Sequence, residues 1–160
     1  MITKDEFLEL IIPCNPCQEG LDLIHECKDM EEVFTKMVGG DWAWLLKHQP
    51  QFAEHCDWSL LSGGNWSWLL SHQPQFAEHC DWGKLNGYNW CWLLKYLPQF
   101  AEHCDWGKLA NYDWTCLLSQ QPQFSEHCDW TKLDSADWSY LLRFQPQFKV
   151  YKEKYYDNKR

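Results

Sequence analysis

Apolar residues recur along most of this chain in a pattern that repeats every 24 positions. Each copy begins with Trp-x-x-Leu-Leu, as in Trp66, Leu69 and Leu70. The spacing i, i+3, i+4 places these three side chains on one face of an α-helix. A Gln-Pro-Gln-Phe string follows, and Cys-Asp-Trp closes the motif, as at positions 73–82. A fixed period in this range is typical of a repeat architecture.

Residues that start or stop helices divide each copy into two helices and a turn. Pro74 and its equivalents fit the first position of a helix, where the missing N–H costs nothing, so a second helix is expected there. Asp81 and its equivalents should cap a last, short 3₁₀ turn. A Gly- or Asn-bearing link, residues 62–64 and equivalents, should join the copies. The Asp or Asn before each core tryptophan is predicted to be the N-cap of the first helix, namely Asp41, Asn65, Asn89, Asp113 and Asp137.

The copies and their flanks predict three segments. Residues 1–40 contain no tryptophan and should form three short helices, the last of them ended by Gly39-Gly40 in the left-handed conformation. We interpret them as an N-terminal helical cap, which a stack of repeats needs to cover its first layer. Residues 41–148 hold four and a half copies, and residues 149–160 form a basic tail rich in Tyr and Lys that either covers the last layer or frays.

Burial of the repeated Trp, Leu and Phe side chains decides the fold class. One copy is too small to hide them from water, whereas stacked copies can do so. The sequence therefore predicts an all-α, right-handed solenoid of 24-residue two-helix repeats with an N-terminal helical cap. A β-helix is the competing architecture, but it would require an alternation of period two, which is not present.

Composition and charge narrow the classes of function. No apolar run reaches 18 residues, so we expect no membrane span. The first residues do not form a secretory signal, so we expect a cytoplasmic protein whose nine cysteines are reduced. The formal net charge is −9. Direct binding of nucleic acid is disfavoured, because that affinity comes largely from Lys and Arg. An acidic surface suits solubility and also suits a basic or nucleic-acid-binding protein partner.

Two groups of cysteine and histidine are candidate metal ligands. His-Cys pairs such as His79-Cys80 recur in four copies. Neighbouring helices lie about 8–10 Å apart, whereas zinc needs its sulfur ligands at about 2.3 Å. Cysteines of neighbouring copies are therefore too far apart to share a zinc ion, and we expect a column of buried Cys beside exposed His. The better candidate is an N-terminal set that consists of Cys14, Cys17, His25 and Cys27. It would make a zinc-stabilised module, unless Cys27 belongs to a helix core.

Catalytic chemistry is not indicated by any motif in the chain. A catalytic site needs different groups that converge on one spot, whereas Glu78 and its equivalents are copied identically and would form a ladder. We therefore expect a non-enzymatic protein.

The positions that vary between copies form a second stripe, about 200° round the helix from the core tryptophan. It contains Trp44, Trp68, Trp92, Cys116 and Tyr140, and, four residues later, His48, His72, Tyr96, Gln120 and Phe144. This stripe either fills a second contact between layers or forms an exposed binding surface, since aromatic residues are enriched at interface hot spots. We expect protein–protein binding through its aromatic and histidine members and through the variable loops: Trp44, His48, Trp68, His72, Trp92, Tyr96, Tyr140 and Phe144.

The period and the short-helix layout resemble the leucine-rich-repeat-variant class of short helical solenoids. The string Trp-x-x-Leu-Leu-x-x-Gln-Pro-Gln-Phe-x-x-x-Cys-Asp-Trp-x-Lys-Leu resembles a tandem repeat of bacterial and mobile-element proteins, and residues 16–45 are similar to a small helical domain of phage and bacterial genes. These resemblances cover nearly the whole chain and carry no catalytic motif. They imply a phage or mobile-element setting. The alternative function is then an acidic inhibitor that mimics nucleic acid and blocks a host nucleic-acid-binding defence protein. Self-association through the repeat ends is a further expected contact.

Overall fold

The computed structural model describes residues 2–159, which form α-helices and 3₁₀ helices without any strand. The α-helices are α1 Lys4–Ile11, α2 Gln18–Glu26, α3 Met30–Lys36, α4 Gly39–His48, α5 Gly63–His72, α6 Gly87–Tyr96, α7 Asn111–Gln120, α8 Ser135–Phe144 and α9 Lys149–Tyr155. The 3₁₀ helices of six residues are Pro50–His55, Pro74–His79, Pro98–His103 and Pro122–His127. The shorter ones are Ile12–Cys14, Trp58–Leu60, Trp82–Lys84, Trp106–Lys108, Trp130–Lys132, Pro146–Phe148 and Asp157–Lys159.

The chain divides into two compact units, Met1–Asp81 and Trp82–Arg160. In the first unit α4 packs against α5, and in the second α6 packs against α7 and α7 against α8. Packing of consecutive repeat helices in series is that of a helical-repeat solenoid, so the predicted all-α class and the 24-residue repeat are confirmed. The right-handed sense stays a prediction. None of the helices in residues 2–159 is long and apolar enough to cross a membrane.

Each copy contains one α-helix, a 3₁₀ helix of six residues and a 3₁₀ turn of three. In the second copy the six-residue helix has Pro74 at its start and Cys80 after its end, with extended backbone at Cys80 (φ −72°, ψ 125°). The N–H of Cys80 donates to the carbonyl of Ala77 (3.1 Å). A 3₁₀ helix rises about 2.0 Å per residue against about 1.5 Å in an α-helix. The few residues between proline and cysteine therefore span a greater distance.

The Asp or Asn before each core tryptophan is not the N-cap, so that prediction is wrong. The α-helices begin three residues earlier, and the Asp or Asn occupies the third helical position. Its side chain reaches back to the N-cap: the N–H of Ser62 donates to Asn65 Oδ1, and the N–H of Asp134 donates to Asp137 Oδ2, both at 3.0 Å. This is the reciprocal half of a capping box. The residues predicted to link the copies therefore belong largely to the first helical turn.

Gly39-Gly40 begin α4 and do not end α3, so that expectation is wrong as well. No glycine in the described part of the chain has a positive φ. Gly39 is required for a different reason: a Cβ there would collide with the carbonyl of Leu60 in the following 3₁₀ turn. The predicted caps of the short turns are confirmed at Asp57 and Asp105, which accept from the N–H groups of Ser59 and Gly107 at 3.0 and 3.1 Å.

Tryptophans of the short 3₁₀ turns join one copy to the next. Trp106 stacks with Trp114 (ring centroids 5.6 Å apart) and with His127 (4.2 Å, 6° from parallel). The five core tryptophans that follow the Asp or Asn are at most 1 % exposed: Trp42, Trp66, Trp90, Trp114 and Trp138. The C-terminal tail covers the last layer, since Tyr151 of α9 stacks on Trp130.

Candidate binding surface

Aromatic pairs on α4, α5, α6 and α8 make up the stripe that the sequence predicted. In α6 the rings of Trp92 and Tyr96 lie 5.2 Å apart, and in α8 those of Tyr140 and Phe144 lie 5.0 Å apart. The corresponding pairs in α4 and α5, Trp44–His48 and Trp68–His72, are both separated by 4.9 Å. The spacing i, i+4 explains these contacts, because such side chains are neighbours on a helix surface.

Exposure of the stripe differs between the two units. In the second unit Trp92, Tyr96, Tyr140 and Phe144 are 40, 52, 48 and 47 % exposed. In the first unit Trp44, His48 and Trp68 are half-buried, and only His72 is exposed. The stripe is therefore partly packed in the first unit and lies at the surface in the second.

Two tyrosines that stand at predicted linking positions extend the stripe. Tyr88 and Tyr112 are 62 and 71 % exposed and stand at the second position of α6 and α7. Tyr88 precedes Trp92 by four residues and so lies on the same helical face. The spacing of four residues could have placed Tyr88 on this face. The N-cap prediction prevented this, because it started the helix after Tyr88. In α7 the equivalent positions are not aromatic: Cys116 is half-buried and Gln120 is exposed.

Cationic side chains lie over several rings of the stripe. Lys47 Nζ is 4.8 Å from the ring centroid of Trp68, and Lys95 Nζ is 5.1 Å from that of Tyr96. These are cation–π contacts, which hold a ring and a charge together at the surface. Hydrogen bonding with Tyr96 raises the pKa of Lys95. Burial, helped by the charge of Lys47, lowers the pKa of His48 and favours its neutral form at pH 7.

Repeated polar side chains outside the stripe satisfy the backbone of a neighbouring copy. Gln121 Nε2 donates to the carbonyl of Lys95 at 2.8 Å, and Lys108 Nζ donates to the carbonyls of Gly83 and Leu85 at 2.8 and 3.0 Å. The equivalent bonds from Gln73 and Gln145 reach the carbonyls of Lys47 and Ser119. The last carbonyls of a helix have no partner within the helix. These side chains therefore have a structural role.

Each six-residue 3₁₀ helix carries an exposed glutamate. The side chains of Glu54 and Glu78 in the first unit and of Glu102 and Glu126 in the second are 77–79 % exposed, and each lies 3.6–3.8 Å from the following histidine. Contacts at such exposure contribute little to stability, even when the histidine is protonated. These glutamates therefore add negative charge to the surface of each unit with little effect on the fold.

The N-terminal cysteine and histidine set is spread between surface and core. Cys17 and His25 are exposed, Cys14 is half-buried, and Cys27 is 2 % exposed among the apolar residues of the core. Within residues 2–159 no three His, Cys, Asp or Glu side chains are grouped so that they could hold a metal ion. Zinc coordination by all four would require Cys27 to leave the core, and it stays a prediction.

The repeat cysteines are small side chains packed beside the 3₁₀ segments. Burial raises the pKa of Cys56, Cys104 and Cys128 to about 12 in each case, with a smaller contribution from the aspartate that follows. Because the thiolate is both the nucleophile and the metal ligand, we expect these residues to be unreactive at neutral pH.

Comparison with models of known protein families, with curated proteins and with solved structures gives no match for this chain.

Proposed function

We propose that the chain is a non-enzymatic protein-binding module. Its binding surface is the aromatic stripe of the second unit, extended by Tyr88 and Tyr112. The contrast between neighbours on one helix supports this proposal most strongly: Trp92 is 40 % exposed, whereas Trp90, two residues earlier, is fully buried. Large aromatic side chains at a protein surface are typical of interaction sites.

The structural roles of the other repeated polar groups support the same proposal. Gln121 and Lys108 bind backbone carbonyls of a neighbouring copy, and Asp105 caps a 3₁₀ turn. Groups engaged in this way are not available for a reaction. The stripe is the surface where the copies differ, and differences between copies are what selective binding requires.

The partner segment should carry apolar side chains for the ring faces and carboxylates for the cations beside them. Lys95 and Arg143 lie 5.1 and 5.8 Å from the rings of Tyr96 and Phe144. A carboxylate of the partner would pair with Lys95 or Arg143 at the edge of the apolar contact. Charge pairs at such positions determine the orientation of the partner more than its affinity.

Pull-down from a lysate of the source cells, followed by mass spectrometry, tests this function. The variant Trp92→Ala/Tyr96→Ala should lose at least about tenfold of the captured partner, because central aromatic residues dominate interface energies. Its far-UV circular dichroism should match that of the unchanged chain. The control is Leu60→Ala/Val150→Ala, which removes exposed apolar side chains outside the stripe and should retain the partner. Equal capture by both variants would refute the proposed surface.

A second candidate function follows from the exposed glutamates, two in each unit. They recur with a 24-residue period, their side chains are 77–79 % exposed, and they offer repeated negative charge. In the phage or mobile-element setting that the repeat string implies, these carboxylates would occupy the basic groove of a nucleic-acid-binding protein. Such binding should weaken steeply as salt is raised, and the quadruple Glu→Gln variant should abolish it. Binding that is unchanged by added salt and by the Glu→Gln substitutions would exclude mimicry of nucleic acid.

A further inference from the structure

Helices α1 to α4 line a pocket of about 410 Å³ in the first unit, which is open to solvent. Part of its lining is apolar and buried, namely Phe7, Ile24, Val33, Met37 and Leu45, whereas Cys17 and Gly40 are exposed. Ligand pockets usually measure about 300–1,000 Å³. The volume therefore lies in the range of a small-molecule site.

Two glycines keep this pocket open. Both Gly20 in α2 and Gly40 in α4 line it. A Cβ on Gly40 would meet no atom within 4 Å, and one on Gly20 would meet only the Cys17 thiol, at 3.5 Å. Neither glycine has a positive φ, so neither is needed for its backbone conformation. Glycine is a poor helix former, yet both helices carry it where a larger side chain would fill the space.

The polar groups of the pocket indicate which ligands it excludes. Asn15, Cys17 and Asp41 are the polar side chains of its lining, and no Lys, Arg or His is among the lining residues. Asp41 Oδ2 already accepts from the N–H of Val38 at 3.0 Å. A carboxylate or phosphate on the ligand would meet negative charge without a cation. Trp44 adds an aromatic face to the wall.

We propose that this pocket binds an uncharged, largely apolar small molecule, in a site separate from the exposed stripe of the second unit. The walls supply burial of apolar surface, which is the main source of affinity in such sites. The few polar groups, Asn15 and the Cys17 thiol among them, can orient one hydrogen-bonding group of the ligand.

Fluorescence titration of the full chain with the neutral probe N-phenyl-1-naphthylamine tests the proposal. We expect saturable one-to-one binding with blue-shifted emission. Gly20→Leu should weaken it at least tenfold, because the added side chain fills the pocket, while circular dichroism and the thermal midpoint are retained. Gly64→Leu places the same side chain on α5, where a Cβ would meet only Ser62 Oγ at 3.8 Å, and should bind the probe normally. Absent saturation, or equal binding by both variants, would overturn the proposal.

Alkylation of Cys17 gives a second readout on the unchanged chain, in case Gly20→Leu fails to fold. Cys17 is exposed and lines the pocket. Saturating probe should slow its reaction with iodoacetamide several-fold. The rate at Cys116, which is half-buried in the second unit, should stay the same. Identical rates at Cys17 with and without probe would place the probe elsewhere and refute the site.

Discussion

Tyr151 stacks on Trp130 with ring centroids 4.5 Å apart and planes 20° from parallel. In the three preceding copies a histidine takes this position, as His127 does against Trp106. The tail thus supplies from α9 the ring that a further copy would have supplied from its 3₁₀ helix. It keeps Trp130 only 6 % exposed.

Removal of this last ring should destabilise the second unit. Tyr151→Ala loses a stacked pair and uncovers Trp130, which should cost about 1–2 kcal/mol from the aromatic pair and the lost burial. Urea unfolding followed by tryptophan fluorescence measures the change. Tyr151→His restores the ring found in the other copies and should recover most of the loss. Val150→Ala, at a position 62 % exposed, should have little effect.

The same variant tests whether the repeat ends drive self-association. Because Tyr151 covers the last layer, the unchanged chain should not associate through that end. Tyr151→Ala exposes Trp130 and should increase association with concentration. Sedimentation velocity over a concentration series decides this. If the two proteins sediment alike, the tail has no role in preventing end-to-end contact.

Adjacent glycines at the start of α4 should respond oppositely to alanine. Gly39→Ala would force a Cβ against the Leu60 carbonyl, so a loss of about 1–3 kcal/mol is expected from steric strain. Gly40→Ala meets no atom within 4 Å and should be neutral or slightly stabilising, since alanine is the better helix former. Thermal or urea unfolding compares them. Equal losses would mean that copies approach less closely here than the structure shows.

Buried thiols should resist alkylation until the protein unfolds. The pKa of Cys56, Cys104 and Cys128 is raised to about 12, so very little thiolate forms at pH 8. Iodoacetamide labelling mapped by mass spectrometry should modify Cys17 first and these three only in denaturant. Because the folded pKa is the higher one, their contribution to stability is intact below about pH 9 and is lost between about pH 9 and pH 12. Rapid labelling of the native protein at Cys104 would contradict this burial.

The glutamines that precede the 3₁₀ helices in the copies other than the third, where Leu97 stands instead, should each contribute one hydrogen bond to a neighbouring helix. Gln121→Ala leaves the Lys95 carbonyl without its amide donor and should cost about 1 kcal/mol. Gln123 donates only to Gln121 Oε1 in an exposed pair, so Gln123→Ala should cost less than about 0.5 kcal/mol, as is usual at the surface. Chemical denaturation of both variants measures the difference.

The repeat period made the core predictable, whereas the helix starts were not. Trp66, Leu69 and Leu70 share a face at helical spacing, and all three are buried. Asn65 has the chemistry of an N-cap but occupies the third helical position, because Asn and Asp can bind an N–H from either side of a helix start. In this copy Ser62 is the N-cap instead, but Val38 and Ala110 take that position in other copies without a side-chain bond. Nor could the sequence predict the N-terminal pocket, since it depends on how four helices are spaced.

Comparison of Trp90→Ala with Trp92→Ala tests the central claim most directly, because the two side chains leave the same helix on different faces. Trp90 is fully buried and Trp92 is 40 % exposed. Trp90→Ala should cost about 3–5 kcal/mol in the free energy of unfolding, as for other large core side chains, and Trp92→Ala less than about 1 kcal/mol. Only Trp92→Ala should reduce partner capture by a chain that is still folded. Similar losses of stability for both variants would place the stripe in the core and contradict a binding surface there.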